Sequence, residues 1–302
     1  LKGFCDVPPV ITGSDAVADA DGLEDLVTLD QVDGAWRNRC CLLNVGGQVL
    51  GGQLAAHCLM AAAISSPDST AHTLQLAFVQ AANPKEPFHI KSADLRSGRR
   101  LSHRSVHLGQ AGQVVATALV TLQSRASPPA TVAWRANQEM PHVPPPEHCE
   151  PRSLNPSECD PLVVALAGGH PYLEIRSTRG YRPGDTQLAD GRAWYWLRVP
   201  LARNLAPAAH YALLTLASDF WFTLPVHGAT ISPRTPFTTT SLDHTVWFHD
   251  HADLGEWLLV ETQRLLLERD VGLMSARYWS RHGRPVATVM QQALIRRAGW
   301  LL

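Results

Sequence analysis

The chain has 302 residues, a formal net charge of −1 at pH 7, 45% hydrophobic and 18% charged residues. That balance suits a globular protein with a large core, and the length leaves room for two domains. No basic surplus points to nucleic acid or to an anionic membrane surface, and no apolar run reaches the ~18 residues of a spanning helix. The opening stretch, LKGFCDVPPVITGSD, has no apolar signal core. The closing RRAGWLL carries no Ser-Lys-Leu address, so the expected compartment is the cytoplasm. Six cysteines, at 5, 40, 41, 58, 149 and 159, form no CxxC pair and no metal-ligand spacing. They read as buried thiols of a reducing compartment. The fourteen histidines include no HExxH, and neither a metal nor a cofactor is expected.

The first strong element is a helix over 51–64, GGQLAAHCLMAAAI. It is apolar around its whole circumference, which suits a helix wrapped on all sides rather than one lying on a surface. Three strands follow, in HIKSADLRSG, RLSHRSVHLG and VVATALVTLQ, punctuated by the turn signals SGRR and GQAGQ. From 126 to 160 the composition turns proline-rich and loses all period, which marks a connector. The domain division expected is therefore 1–125, a linker over 126–160, and 161–302.

The second half repeats the plan of the first. A second all-round apolar helix is expected over 210–222, HYALLTLASDFWF. Strands WLLVETQRLLLE, GLMSARYWSR and PVATVMQQALI come after it. Val115-Ala116-Thr117 recurs as Val286-Ala287-Thr288, 171 positions on, and AFVQAANPKEP faces WFHDHADLGEW at a shift of 170. Agreement between the triplet and its flanking order points to duplication. An antiparallel sheet curled round a central helix, made twice, is an α+β double hot-dog architecture. Curved sheets expose edges and faces, so a homo-oligomer, dimer or tetramer, is expected.

Asp219 stands out within LASDFWF, because a carboxylate in an apolar neighbourhood needs a partner or a task. It could cap the helix, pair with Arg176 or Arg198, or act as a base, a role that a desolvated carboxylate performs well.

The blocks VGGQVLGGQL, LRSGRRLSHRSVHLGQAG, PYLEIR, WYWLRVPL, LASDFWF, SLDHTVWFH, EWLLVE and RPVATVMQQALIR lie in order between residues 45 and 296. In content and spacing the chain resembles the type II acyl-CoA thioesterases, the double hot-dog family of bacterial thioesterase II and its peroxisomal relatives. That resemblance implies hydrolysis of an acyl-CoA to a free acid and coenzyme A. It also implies a catalytic group of an aspartate, a hydroxyl residue and a glutamine that hold a water. By motif these fall on Asp219, Ser241 (many relatives have Thr) and Gln291. The partner implied is acyl-CoA or another acyl thioester.

The chemistry suits those residue types. A thioester carbonyl is already electrophilic and needs a positioned water and donors for the developing oxyanion. Backbone N–H groups at the end of a central helix would supply such donors. Strand alternation lets only one of Gln291 and Gln292 face a site. The same alternation puts Ser241 and Asp243 on one face and His244 on the other, which argues against a Ser-His-Asp triad. His249 and His251 lack a third metal ligand. At the repeat shifts Ser241 falls opposite Ala71 and Gln291 opposite Val120, so the first half lacks the constellation. Its glycines Gly46, Gly47, Gly51 and Gly52 suit packing of helix on sheet, or the wall of an acyl tunnel.

Departures from the resemblance concern cations. Asp250 and Val271 stand where relatives often carry arginine, leaving Arg269, Arg277 and Arg281 as candidates for the coenzyme A phosphates. Two other functions remain open on these residues: an enzyme releasing or dehydrating a carrier-bound acyl thioester on the same scaffold, or a non-catalytic binder of acyl ligands.

Overall fold

The computed structural model describes residues 10–11, 20–44, 47–126, 139–151, 172–178, 191–220 and 237–297. The first half contains β1 (Val10–Ile11), α1 (Ala20–Asp25), β2 (Leu29–Val32), β3 (Ala35–Asn38), β4 (Cys41–Leu42) and α2 (Gly51–Ile64). It continues with β5 (Ser69–Phe78), β6 (His89–Ser97), β7 (Leu101–Gln110) and β8 (Gln113–Ser124). After it come β9 (Glu150–Pro151), β10 (Glu174–Ser177), β11 (Arg192–Arg198) and α3 (Pro207–Phe220). The last elements are β12 (Phe237–Ser241), β13 (Asp243–Phe248), β14 (Leu258–Glu268), β15 (Val271–Ser280) and β16 (Pro285–Arg297).

One antiparallel sheet runs through both halves in the order β2-β3-β6-β7-β8-β5-β13-β16-β15-β14-β11-β10-β9, with β12 also paired to β16. Outward from the β5–β13 junction the order is the same on either side: β8, β7, β6 on one and β16, β15, β14 on the other. The repeat seen in sequence is a repeat in register. Phe78 pairs with Ala116, and Phe248, 170 residues on, pairs with Ala287, 171 on from Ala116. The result is the double hot-dog arrangement expected.

β8 and β15 form where expected because buried, mostly apolar positions recur at every second residue over most of their length, and their turns are tight. Between β7 and β8, Ala111 (φ 47°) and Gly112 (φ 77°) make a two-residue turn with both residues left-handed, whose twist matches the flanking strands. The β14–β15 turn uses Arg269 (φ 51°) and Asp270 (φ 63°) in the same way.

Helix α2 matches the range expected for it, and its buried residues, Leu54, Ala55, Ala56, Cys58, Leu59, Ala61 and Ala62 among them, lie all round the axis. Helix α3 begins earlier than expected, at Pro207, because proline is well tolerated in a first helical turn. Of the range expected for it, residues 221 and 222 lie outside the described residues. Both helices belong to one apolar core that spans the two halves. The described part of the proline-rich stretch packs on the second half. Met140, Val143 and Cys149 join Trp196, Trp257 and Trp279 in a separate cluster, and Trp196 Nε1 donates to the Pro144 carbonyl at 2.8 Å.

Candidate active site

Asp219 sits in the last turn of α3, and its carboxylate meets the start of α2. The Gly52 N–H donates to Asp219 Oδ2 at 2.7 Å. This approach explains the glycine pair. A Cβ on Gly52 would fall on the Leu216 carbonyl oxygen and lie 2.9 Å from Asp219 Cβ. A Cβ on Gly51 would lie 2.9 Å from Asp219 Oδ2 and 3.0 Å from the Phe78 ring. Gly52 therefore lets helix approach helix, a contact not among the expected ones, while Gly51 meets both α3 and Phe78 of the sheet, as packing of helix on sheet would have it. The early N–H groups of α2 carry the positive end of its dipole, so the carboxylate sits where an anion is favoured. One backbone N–H at the start of α2, that of Gly52, is thus committed to Asp219.

The carboxylate's other oxygen is held from the sheet. Gln291 Nε2, on β16, donates to Asp219 Oδ1 at 3.0 Å and to Ser241 Oγ, at the end of β12, at 2.5 Å. All three side chains singled out in the sequence therefore meet through one carboxamide. Gln291 is fully buried, while Asp219 and Ser241 are half-buried. Arg176 and Arg198, the alternative partners considered for Asp219, both pair with Glu174, at 3.1 and 2.6 Å. Gln292 faces the opposite side of the sheet, where with Asp243, Thr245 and Met290 it lines a hollow of ≈ 630 Å³.

Strand parity fails at one place, and the failure matters. Ser241 pairs with Ala293, yet Thr245 pairs with Met290, so the register slips by one residue between β12 and β13. This is a β-bulge at Leu242. It turns Ser241 inward and Asp243 outward, and it brings His244 inward beside Ser241, against the expectation from strict alternation. Asp243 Oδ1 accepts the Gln292 backbone N–H at 2.9 Å, capping the interrupted ladder. The first half bulges at the equivalent point, between Ala71 and Thr73, 170 residues earlier.

His244 is the site residue that sequence reasoning set aside. It is fully buried, with Nδ1 2.8 Å from Gln291 Oε1 and Nε2 2.8 Å from Ser218 Oγ. Ser218 in turn lies 2.8 Å from the Thr215 carbonyl. Burial lowers the imidazole pKa below its ordinary value, against the opposing pull of the Asp219 charge. The imidazole binds neither Ser241 nor Asp243, so no Ser-His-Asp triad forms in that arrangement. The repeat held the signal that could have found it. At shifts of 170 and 171, His244 and Gln291 fall on Leu74 and Val120, which are paired, fully buried and apolar.

Arg277 and Arg281 are held by carboxylates, Glu261 at 2.8 Å and Glu147 at 2.7 Å. Arg269, in the β14–β15 turn, has a side chain 91% exposed. Asp250 pairs with Arg284 at 3.2 Å. Among the described residues, no group of three or more His, Cys, Asp or Glu could hold a metal ion, and no helix is long and apolar enough to cross a membrane.

Residues 43–123 match the family described as acyl-CoA thioesterase N-terminal domain, and residues 146–295 match the acyl-CoA thioesterase C-terminal domain. The chain is 28% identical to human acyl-coenzyme A thioesterase 8 over 268 residues, 82% of this chain and 81% of that protein. It is 24% identical to acyl-CoA thioesterase 2 of Haemophilus influenzae over 82% of this chain and 88% of that one. Its fold is similar to that of the acyl-CoA thioesterase II TesB2 of Mycobacterium marinum, with a TM-score of 0.72 at 22% identity, covering 92% of this chain and 99% of that chain.

Proposed function

We propose that this chain, which belongs to the acyl-CoA thioesterase family, hydrolyses an acyl-CoA thioester with a water held by Asp219 and Ser241, the two groups that Gln291 keeps together. The observation that carries the assignment of roles is the convergence of the three side chains from a helix and two strands, with Asp219 Oδ1 and Ser241 Oγ each within 3.0 Å of Gln291 Nε2.

The hydrogen-bond inventory divides the work. Both Nε2 hydrogens of Gln291 are spent, one on each partner, so the amide fixes the spacing of acid and hydroxyl. Ser241 Oγ accepts from Gln291, which leaves its own hydrogen to donate toward the reacting water or carbonyl. Asp219 accepts a proton from the water as its oxygen attacks the thioester carbon. Collapse of the tetrahedral species breaks the C–S bond, and the thiolate takes the proton back from the acid. The products are a carboxylic acid and free thiol, with no covalent enzyme intermediate.

Release of free thiol from a panel of acyl-CoA and acyl-carrier substrates, followed by mass spectrometry, tests this reading. Hydrolysis should fall by about a hundredfold or more in Asp219→Ala and in Gln291→Ala, with folding preserved. Activity kept within about threefold in both would overturn the roles.

The finer properties follow the same way. We take the compartment to be the cytoplasm, since Cys40, Cys41, Cys58 and Cys149 are free thiols. We take the assembly to be a dimer or tetramer, since the sheet leaves Val114, Leu119, Leu265 and Leu266 exposed. Light scattering of the purified protein tests the assembly.

A further inference from the structure

We propose that His244 is a positioning residue, whose imidazole locks the Gln291 carboxamide in the orientation that joins Asp219 to Ser241. The proposal rests on the hydrolytic reading above and extends it to a residue that reading does not use.

The orientation follows from donor and acceptor counts. An ionised carboxylate only accepts, so the end of Gln291 that faces Asp219 Oδ1 at 3.0 Å is the NH₂ group. The carbonyl end therefore faces His244, whose Nδ1, at 2.8 Å, must carry the hydrogen. Nε2 of a neutral imidazole is then an acceptor, so the Ser218 hydroxyl, 2.8 Å from both Nε2 and the Thr215 carbonyl, shares its one hydrogen between them or turns it to Nε2. The Asp219 carboxylate and the His244 Nδ1–H thus fix the amide orientation from its two ends, and the amide sets the two groups that meet the water. A reversed amide would aim its oxygen at the carboxylate and leave Nδ1–H facing an NH₂ group. Nothing else described contacts Gln291 Oε1 by hydrogen bond, so without His244 the carboxamide oxygen has no described donor and only the Asp219 contact distinguishes its two ends.

The first half supplies an internal control. Its counterparts of His244 and Gln291 are Leu74 and Val120, a fully buried apolar pair at the same register next to an equivalent bulge. The fold therefore closes well without a polar pair at this point. Burying an imidazole and a carboxamide is costly unless each group is paired, and here each is. The half that carries Asp219 and Ser241 is the half that carries the polar pair. The titratable groups that act on the imidazole are Asp219 and Asp243, and burial outweighs both, keeping it neutral near pH 7.

The test compares His244→Ala with His244→Asn in the full chain, with Asp219→Ala and Gln291→Ala alongside. Asparagine carries its N–H the same number of bonds from Cα as Nδ1 and can renew the contact to Gln291 Oε1. We expect His244→Ala to lower kcat about tenfold or more while KM moves less than about twofold, and His244→Asn to restore most of the loss. Nitrogen-15 spectra of the unmodified protein should show the Nδ1–H tautomer for this residue, which decides the matter if the variants do not fold. A folded His244→Ala with unchanged kcat, or an Nε2–H tautomer, overturns the positioning role. If Asp219→Ala and Gln291→Ala also keep full activity, the hydrolytic reading falls with it. If those two are inactive while His244→Ala is not, only the positioning role falls.

Discussion

Gly52 and Asp219 lie 167 residues apart in the two halves of the chain, and the backbone N–H of the first donates to the carboxylate of the second at 2.7 Å. The half without the acid thus completes the setting of the acid. Gly52→Ala tests how tightly. Alanine would favour the helix by about 1 kcal/mol. Its methyl, however, would fall on the Leu216 carbonyl, a backbone atom that cannot swing aside, and overpacking of this kind costs about 1–3 kcal/mol. The clash should win. Thermal and denaturant midpoints should fall, and activity should fall further than stability alone explains, because α2 and α3 must separate where the carboxylate is held.

Ser241 accepts one hydrogen bond from Gln291 and has one hydrogen left to give. Ser241→Ala removes both and leaves an amide hydrogen without a partner. The expected loss in kcat is about ten- to a hundredfold, typical for deletion of one positioned hydroxyl. Ser241→Thr keeps the hydroxyl and should retain activity within about fivefold. Steady-state kinetics on one acyl-CoA checks both. Equal losses in the two variants would mean that bulk, not the hydroxyl, matters at this position.

Much of this was legible in the residues. The halves could be aligned because Val115-Ala116-Thr117 and Val286-Ala287-Thr288 lie near the starts of β8 and β16, where Val115, Ala116, Val286 and Ala287 are all buried and the two halves fill equivalent positions alike. Asp219, Ser241 and Gln291 were named from their motifs, and the fold brings them together. What stayed hidden was any feature that depends on a break in period. A single bulged residue at Leu242 reverses the facing of everything beyond it, so counting by twos placed His244 on the wrong side. The partner of Gly52 was hidden for a different reason. Contact between two helices of different halves leaves no local pattern beyond the small residues themselves.

Arg269 offers the expected contact for a phosphorylated ligand. Its side chain is exposed and only loosely paired, with Glu268 at 3.9 Å, while Arg277 and Arg281 are held closely by Glu261 and Glu147. It also lies at the end of the sheet where Gly272, Ala293 and Ser241 form one row across β15, β16 and β12. Arg269→Ala should raise KM for acyl-CoA about two- to fivefold with kcat unchanged, an effect that shrinks at high salt because exposed charges are screened. A KM independent of both the substitution and the ionic strength would remove Arg269 from the binding surface.

His57 ties stability to pH. It is buried on α2, where Nε2 lies 3.1 Å from the Leu26 carbonyl and Nδ1 has no partner among the described groups. Burial lowers its pKa to about 4, with the Leu26 bond a smaller opposing effect. Between pH 6.5 and 4 the unfolded chain takes up a proton here that the folded chain refuses, so stability falls as pH falls through that window. The share from this residue is on the order of 2 kcal/mol by pH 5. Buried His244 adds to the same trend. Urea unfolding at pH 7 and pH 5 should show a smaller difference in His57→Leu than in the unmodified protein. The Leu26 carbonyl would not be stranded in that variant, since Gln53 Nε2 also donates to it at 3.0 Å.

The sharpest comparison is between the two halves. Converting His244 and Gln291 to their first-half counterparts, His244→Leu with Gln291→Val, replaces a buried polar pair by the apolar pair that the fold already accepts at Leu74 and Val120. Two consequences should separate. Ser218 keeps its contact to the Thr215 carbonyl and Asp219 keeps the Gly52 N–H, so each of these two described groups retains a partner. Removing a polar pair as a unit is often neutral or stabilising, unlike removing one member alone. The midpoint of thermal unfolding should therefore stay within a few degrees of the unmodified protein, or rise. Hydrolysis should be lost to the background rate, because Asp219 and Ser241 no longer share a common donor. Calorimetry and thiol release on the same preparation measure both. A double variant that unfolds much earlier, while the single Gln291→Val does not, would show that His244 holds the core together and that its polarity serves stability, not orientation of the carboxamide.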